Sequence, residues 1–298
     1  MSTPRAPDIP NYWDSLDKHS LIDEIWMSHR LVRERINRRV SGDPGVWSTT
    51  WLRDRIAGRL PLARTMSIGC GTGNFERDIV RLGIVARVTG IELSPICVEV
   101  ATREAAAAGY SGMIDYRVDD AWKAIEEARD LDAIFFHASL HHFDHLPEMA
   151  KLLRAALRPG GLLYLDEYVG PSRDEWRLRD LALLNFLYYR LPRTVRRVGR
   201  IRAPVNREDP TEGVESSAIL PAIRSEFDIL EQRDYGGNLA SVIYANLRRP
   251  SHVPPSPQED FDEAIAFLLD VEDLMLAHPR ISGAASFHTV LLATPKRP

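Results

Sequence analysis

Met66-Ser67-Ile68-Gly69-Cys70-Gly71-Thr72-Gly73-Asn74-Phe75-Glu76 decides the fold of this 298-residue chain. An apolar strand end runs into three glycines at alternate positions and then into a helix start. Glycine reaches positive φ at no steric cost and lacks the Cβ that would hold a ligand away from the backbone. The first turn of the following helix points N–H groups without intrahelical partners at the same spot. The geometry is that of a nucleotide-type cofactor loop. A dinucleotide loop of the form G-x-G-x-x-G would place its third glycine where Asn74 stands, so the pattern here is G-x-G-x-G. A second apolar run, Val88-Thr89-Gly90-Ile91-Glu92-Leu93, ends on an acid.

Working outward, short apolar runs alternate with helical segments. The candidate strands are Thr65–Ile68, Ala86–Ile91, Ile114–Val118, Ala133–His137 and Leu162–Tyr168. Such alternation predicts an α/β, Rossmann-like, doubly wound and mostly parallel seven-stranded sheet. Ligands of these sheets bind at the carboxyl ends of the strands, where Gly69, Glu92, Asp120, His137 and Glu167 fall. Upstream, Leu16, Leu21, Ile22, Ile25, Trp26, Leu31 and Ile36 carry helical spacing over Asp14–Val40. Gly42-Asp43-Pro44-Gly45 breaks it, and Val46–Leu60 resumes it. Downstream, Pro171–Pro210 reads as a helical cap, Ser216–Ser225 as the last core helix, and Phe227–Arg233 and Ala284–Thr294 as the last two strands. The expected organisation is a helical N-terminal segment (1–60), a cofactor-binding core (61–170), a helical cap insertion (171–215), and the rest of the core sheet (216–298). A second helical insertion at about 247–282, with its helix near Phe261–Leu276, interrupts that last part. Pro250–Pro257 reads as a linker.

A hydrophobic content of 44% supports a sizeable core, and a formal net charge of −4 gives no global footprint for nucleic acid or an anionic membrane. The two cysteines, Cys70 and Cys97, make neither a disulfide framework nor a cysteine zinc site. Met1–Tyr12 lacks an apolar signal core, and the longest apolar stretch, Leu181–Tyr189, is far too short to span a membrane. The expectation is a cytoplasmic protein in a reducing compartment, with oligomeric state left open between monomer and homodimer.

The glycine loop and the acid at Glu92 resemble the first two motifs of class I S-adenosylmethionine-dependent methyltransferases. The resemblance continues through Val118-Asp119-Asp120-Ala121, Asp132-Ala133-Ile134-Phe135-Phe136-His137 with Leu140-His141-His142, and Leu157-Arg158-Pro159-Gly160-Gly161-Leu162. Five motifs in family order cover roughly residues 60 to 170. Glu167-Tyr168-Val169-Gly170-Pro171-Ser172-Arg173 and Asp209-Pro210-Thr211-Glu212 are similar to segments of a bacterial small-molecule or glycan-type branch. The resemblance implies S-adenosylmethionine as methyl donor, S-adenosylhomocysteine as product, and Gly69, Gly71 and Gly73 as the loop against the cofactor.

Within that frame, Glu92 has two acceptor oxygens and no donor, which suits a ribose diol. Its bland alternative is an exposed strand-end acid. Asp120, or its neighbour Asp119, suits the adenine amino group, with the Ala121 N–H donating to the ring and Leu93 and Trp122 offering apolar faces. The backbone at His137 faces the methionine part of the cofactor; its alternative is a buried, satisfied histidine. His141, His142, Asp144 and His145 suggest a metal cluster, but adjacent histidines point apart on a helix, and no metal is expected. His142, and less so His141, is a candidate general base, because imidazole titrates near neutral pH. Matching to related methyltransferases places Glu167 beside the transferred methyl; the alternative is a carboxylate paired with Arg173. Tyr168, Arg173 and Trp176 are candidates for the acceptor-pocket wall, against plain packing, and His288 on the last strand is a further one.

The arginines at 190, 193, 196, 197, 200 and 202 alternate with Leu191, Val195, Val198 and Ile201 at helical spacing and read as a solvated basic face. Docking to an anionic acceptor, membrane surface or carrier protein is the sharper alternative. The expected function is methylation of a small-molecule or glycan-type acceptor, preferably at oxygen. A macromolecule methyltransferase, a non-catalytic cofactor-binding protein and a nicotinamide dehydrogenase are the competing readings.

Overall fold

The computed structural model describes residues 25–206, 209–248 and 258–297. The first part of the expected helical stretch Asp14–Val40, up to residue 24, and the whole of the expected linker Pro250–Pro257 lie outside the described residues. Seven strands, β1 (Thr65–Ile68), β2 (Val88–Glu92), β3 (Ile114–Val118), β4 (Leu131–His137), β5 (Leu157–Tyr168), β6 (Phe227–Gly236) and β7 (His288–Pro295), form one sheet in the order β3-β2-β1-β4-β5-β7-β6. The pairs from β3 to β5 are parallel, and β7 runs antiparallel to both β5 and β6. The strand order reverses between β1 and β4, and the crevice beyond their carboxyl ends is where such sheets bind ligands.

Strand alternation divides the core. On β4, Ala133 and Phe135 face one layer, Ile134 and Phe136 the other. On β5, Leu162 and Tyr164 join the first layer, Leu163 and Leu165 the second. Helices α3 (Asn74–Arg81), α4 (Pro95–Ala107), α5 (Ala121–Glu127), α6 (Leu146–Ala156) and α8 (Ile219–Glu226) flank the sheet.

Three segments outside this core pack on one another at the carboxyl edge. Helix α1 (Arg30–Ser41) presents Val32, Ile36 and Val40 at i, i+4 and i+8, and it ends on Gly42 in the left-handed region. It packs on α10 (Gln258–Ala277), whose Ile265, Leu268 and Leu269 are buried in the same cluster. Each such side chain contributes roughly 1.5–3 kcal/mol of burial. Arg35 and Arg39 both reach Asp273 of α10, and Arg35 also reaches Asp270. Helix α7 (Leu178–Arg190) buries Leu184, Leu187 and Tyr188 in that cluster and contacts α9 (Ala240–Tyr244). A short α2 (Ser48–Arg55) and α11 (Pro279–Ser282) complete the helices among the described residues.

The arginine run departs from the expected helical face. α7 stops at Arg190 because Pro192 follows, and a residue before proline is pushed to extended backbone; Leu191 sits at φ −71°, ψ 153°. From there to residue 206 the chain is an irregular strap, with a single short turn at Arg193–Val195. Its apolar residues Leu191, Val195 and Ile201 are buried, while Arg190 stacks over Phe186 and Arg196 over Tyr189.

Candidate functional site

Gly69, Gly71 and Gly73 sit at φ 64°, 52° and 77°, so all three loop glycines adopt the left-handed backbone. Their reasons differ. A Cβ on Gly69 would lie 2.6 Å from Ser139 Cβ, whereas one on Gly71 would meet no atom within 4 Å. The Gly71 N–H donates to Glu92 Oε2 at 2.9 Å, and Glu92 Oε1 accepts from the Leu93 and Ser94 N–H groups at 2.8 and 3.0 Å. Glu92 thereby holds the two turns together and keeps its remaining lone pairs at the edge of a cavity of about 660 Å³. Gly69, Gly71, Glu92, Leu93, Asp120, Ala121 and His137 line that cavity. Gly73 does not line it. The ring of Tyr116 presses against Gly73, donating its hydroxyl to the Gly73 carbonyl at 3.2 Å, and this close approach is why glycine is needed there.

Asp120 caps α5 by accepting from the Lys123 N–H at 3.0 Å, and Asp119 accepts from the Asp120 N–H at 2.9 Å. Both border the cavity. Glu76 was not anticipated. It is buried in the first turn of α3, accepts from the Ser67 hydroxyl, and leaves Oε2 without a hydrogen-bond partner among the described residues. Burial raises its pKa. An acid in a helix's first turn behind a glycine loop was the only signal available for it.

A second cavity, of about 870 Å³, lies under the cap. Asn74, Phe75, His137, Ala138 and His142 line both cavities, so the two meet at the end of β4. Ala138 adopts a positive φ of 53° at this junction, a strained conformation of the kind that clusters at functional sites. The His137 side chain is 45% exposed and stacks on Phe75 with centroids 5.0 Å apart. The buried-histidine alternative is therefore not what the structure has.

Glu167, at the end of β5, is 1% exposed and lines the second cavity. Its Oε1 accepts from the Ser139 and Leu140 N–H groups, both at 2.5 Å, and its Oε2 lies 2.8 Å from His141 Nδ1. The carboxylate organises the turn after β4 and does not pair with Arg173, whose guanidinium instead donates to the carbonyls of Asn206 and Pro210.

The histidine pair also departs from expectation. Leu140–His142 is a single tight turn rather than an α-helix, and the two rings lie side by side with centroids 4.2 Å apart. Both Nε2 atoms face Glu212, at 3.9 Å for His141 and 3.8 Å for His142. Burial lowers the pKa of His141, but the adjacent Glu167, with smaller help from Glu212 and Asp209, overrides it and raises the value to about 9. Burial, then the neighbouring His141, lowers that of His142. His145 stands apart, exposed and left-handed ahead of α6.

Tyr168, Arg173, Trp176 and His288 all line the second cavity. His288 is buried between Trp26, Tyr168 and Tyr235, and burial lowers its pKa to about 4. The N-terminal residues Arg33, Trp47 and Ser48 were read only as helix formers, yet they form part of the same wall. Arg33 lies over the Trp47 ring at 4.2 Å, with burial lowering its pKa. Among the described residues, no helix is long and apolar enough to cross a membrane.

Comparison with known proteins agrees with this geometry. Residues 66–161 match the methyltransferase domain family. A ubiquinone biosynthesis O-methyltransferase of Methylocella silvestris is 38% identical over 113 residues, which are 38% of this chain and 43% of that protein. Its counterpart in Xanthomonas axonopodis pv. citri is 36% identical over 107 residues, 35% of this chain and 42% of the relative. The matched region thus spans less than half the length of these relatives. In fold, the chain resembles geranyl diphosphate C-methyltransferase of Streptomyces coelicolor, with a TM-score of 0.50 at 16% identity, covering 99% of this chain and 100% of the other. The glycine loop, the acid closing β2 and, but for Thr65, the strands from β1 to β4 thus lie within the segment, residues 66–161, that matches the methyltransferase domain family.

Proposed function

We propose that the protein transfers a methyl group from S-adenosylmethionine to a small-molecule acceptor, at an oxygen. The observation that carries this reading is the meeting of the two cavities at Phe75, His137, Ala138 and His142. Each has the volume of a ligand pocket, and two reactants held there would face one another across a single constriction. The residues of the smaller cavity fit the donor. The open space at Gly71 admits a ligand against backbone, Glu92 offers acceptors to a ribose diol, and Asp119 or Asp120 with the Ala121 N–H suits an adenine edge. The unpartnered Oε2 of Glu76 suits the ammonium of an amino-acid tail.

When bound, S-adenosylmethionine supplies a sulfonium-activated methyl group. The protein's task is then to align the acceptor, exclude water and accommodate the hydroxyl proton that leaves. Of the three expected catalytic residues, we assign His141 and His142 to the acceptor hydroxyl, because their Nε2 atoms face the second cavity beside Glu212. Glu167 becomes a positioning residue, since its oxygens already hold the Ser139–Leu140 turn and orient His141. Tyr168, Arg173, Trp176 and His288 form the wall. A cavity of about 870 Å³ has the size of a small acceptor rather than of a macromolecule's contact surface.

Calorimetry with S-adenosylmethionine, S-adenosylhomocysteine and a nicotinamide dinucleotide tests the donor half, and transfer of labelled methyl to hydroxylated small molecules tests the acceptor half. Tight dinucleotide binding without heat from adenosylhomocysteine would overturn the reading. Labelling of amine or thiol analogues but never of hydroxyls would overturn the preference for oxygen.

A further inference from the structure

His141, His142 and Glu212 bring one ligand atom each to within 4.8 Å of one another, at the polar end of the larger cavity. Hydrogen-bond accounting orients both rings. The Thr211 hydroxyl donates its only proton to Asp209 Oδ1 at 2.5 Å, so His142 Nδ1, 3.0 Å away, must donate to Thr211. That leaves Nε2 of a neutral His142 as an acceptor, directed at Glu212 Oε2. Glu167 already accepts three backbone N–H groups, from Ser139, Leu140 and Tyr168, and is an acceptor toward His141 as well, so His141 Nδ1 carries a proton and its Nε2 is directed at Glu212 Oε1.

Separations of 3.8 and 3.9 Å exceed a hydrogen bond. They match two ligand atoms sharing one ion, because donors about 2.0–2.2 Å from a metal lie roughly 3–4 Å from each other. The outer nitrogen of each ring is held by a carboxylate or a hydroxyl, the arrangement that fixes the tautomer of a metal-ligating histidine. Charge points the same way. Glu167, Asp209 and Glu212 surround the two imidazoles, and among the described residues none of these carboxylates is ion-paired with lysine or arginine. Asp209 is 1% exposed, and its Oδ2 has no hydrogen-bond partner among the described residues.

We propose that His141, His142 and Glu212 bind a first-row divalent transition-metal ion, of the zinc, manganese or iron(II) class, with open coordination positions facing the larger cavity. Two imidazoles and one carboxylate favour these ions over magnesium or calcium, which take all-oxygen sites. That the ion holds an acceptor oxygen rests on the methyltransferase reading given above; that it binds does not.

The test is titration of the full-length, chelator-dialysed protein with Zn²⁺ in a calorimeter and with Co²⁺ by visible absorption. One ion per chain is expected, with the intense d–d bands of a four- or five-coordinate cobalt centre. Glu212→Gln should abolish the bands and weaken Zn²⁺ binding at least tenfold; the side chain is 41% exposed, so the variant should fold normally and keep its affinity for S-adenosylhomocysteine. His142→Ala should also lose the bands, and Glu167→Gln should weaken the site by roughly 10–100-fold through His141. No stoichiometric uptake by the wild type overturns the proposal, as does uptake that survives both ligand variants. Metal binding without any adenosylhomocysteine binding upholds the site but rejects its part in methyl transfer.

Discussion

Replacing Gly71 by alanine separates the loop's conformation from its contact with ligand. At φ 52° an alanine pays about 1–2 kcal/mol for the left-handed backbone. No packing penalty adds to this, because the new Cβ meets nothing within 4 Å. At roughly 2–4 °C per kcal/mol for a domain approaching this size, Tm of the ligand-free protein should fall by about 2–8 °C. The methyl would project into the smaller cavity, and intrusion of one methyl into a filled site costs roughly 1–3 kcal/mol. Adenosylhomocysteine affinity should therefore fall by about 5- to 150-fold. Gly69→Ala is the matched comparison. It carries the same backbone cost at φ 64°, and its Cβ would also lie 2.6 Å from Ser139 Cβ, so it should destabilise the ligand-free protein further, by roughly 1–3 kcal/mol. Differential scanning calorimetry and isothermal titration on the two variants give both numbers. A folded Gly71→Ala protein with wild-type affinity would refute the placement of ligand against the loop, and a Gly69→Ala variant no less stable than Gly71→Ala would refute the packing of Gly69 against Ser139.

Glu92→Ala should weaken adenosylhomocysteine binding by roughly 1–3 kcal/mol, since it removes a charged acceptor that also holds the Gly71, Leu93 and Ser94 N–H groups; unchanged affinity in titration calorimetry would remove Glu92 from the site. Glu76→Gln should weaken binding of S-adenosylhomocysteine more than of adenosine, which lacks the amino-acid tail, and equal losses for both would place Glu76 away from that tail. For pH, the buried His288 has its folded pKa lowered to about 4, from 6.5, so the unfolded chain binds the extra proton first. Its contribution is therefore fully present above pH 6.5, is lost as pH falls toward 4, and amounts to roughly 3 kcal/mol at most. Chemical denaturation across that window should show a shallower slope in His288→Phe than in the wild type, and identical slopes would contradict the assignment.

Each strand from β1 to β5 was legible because its signals are local. The loop needs glycines where φ is positive, and Gly69, Gly71 and Gly73 all take that backbone. An apolar run between turn residues is enough to predict β1 and β3, whose observed ends match the expected ones. Glu92 and Asp120 lie at the cavity because a strand end in a parallel sheet has one place to be. Local reading fails where two segments distant in sequence decide the outcome. The helical spacing around Arg190–Arg202 was real as a pattern, but Pro192 stops the helix, backbone hydrogen bonds tie Val195 and Arg197 to the segment at 246–248, and Asn185 holds Ile201, so that Val195 and Ile201 are buried in an irregular strap.

The larger cavity was decided by tertiary structure almost throughout. Glu167 was read as a group free to act on the acceptor, yet burial in a low-dielectric turn requires its oxygens to be satisfied, and the nearest donors are the N–H groups of residues 139 and 140. Arg33 and Trp47 reach the same cavity from a segment whose sequence shows only helical periodicity. His141 and His142 were expected to point apart; a tight turn places them side by side, and Glu212 meets them from about seventy residues further along. The sequence alone determined most of the elements, their alternation and the glycine loop, since those depend on backbone preference and on spacing within a few residues. The convergence of His141, His142, Asp209 and Glu212 depends on how the chain crosses the sheet and returns through the cap, and no local preference encodes that distance.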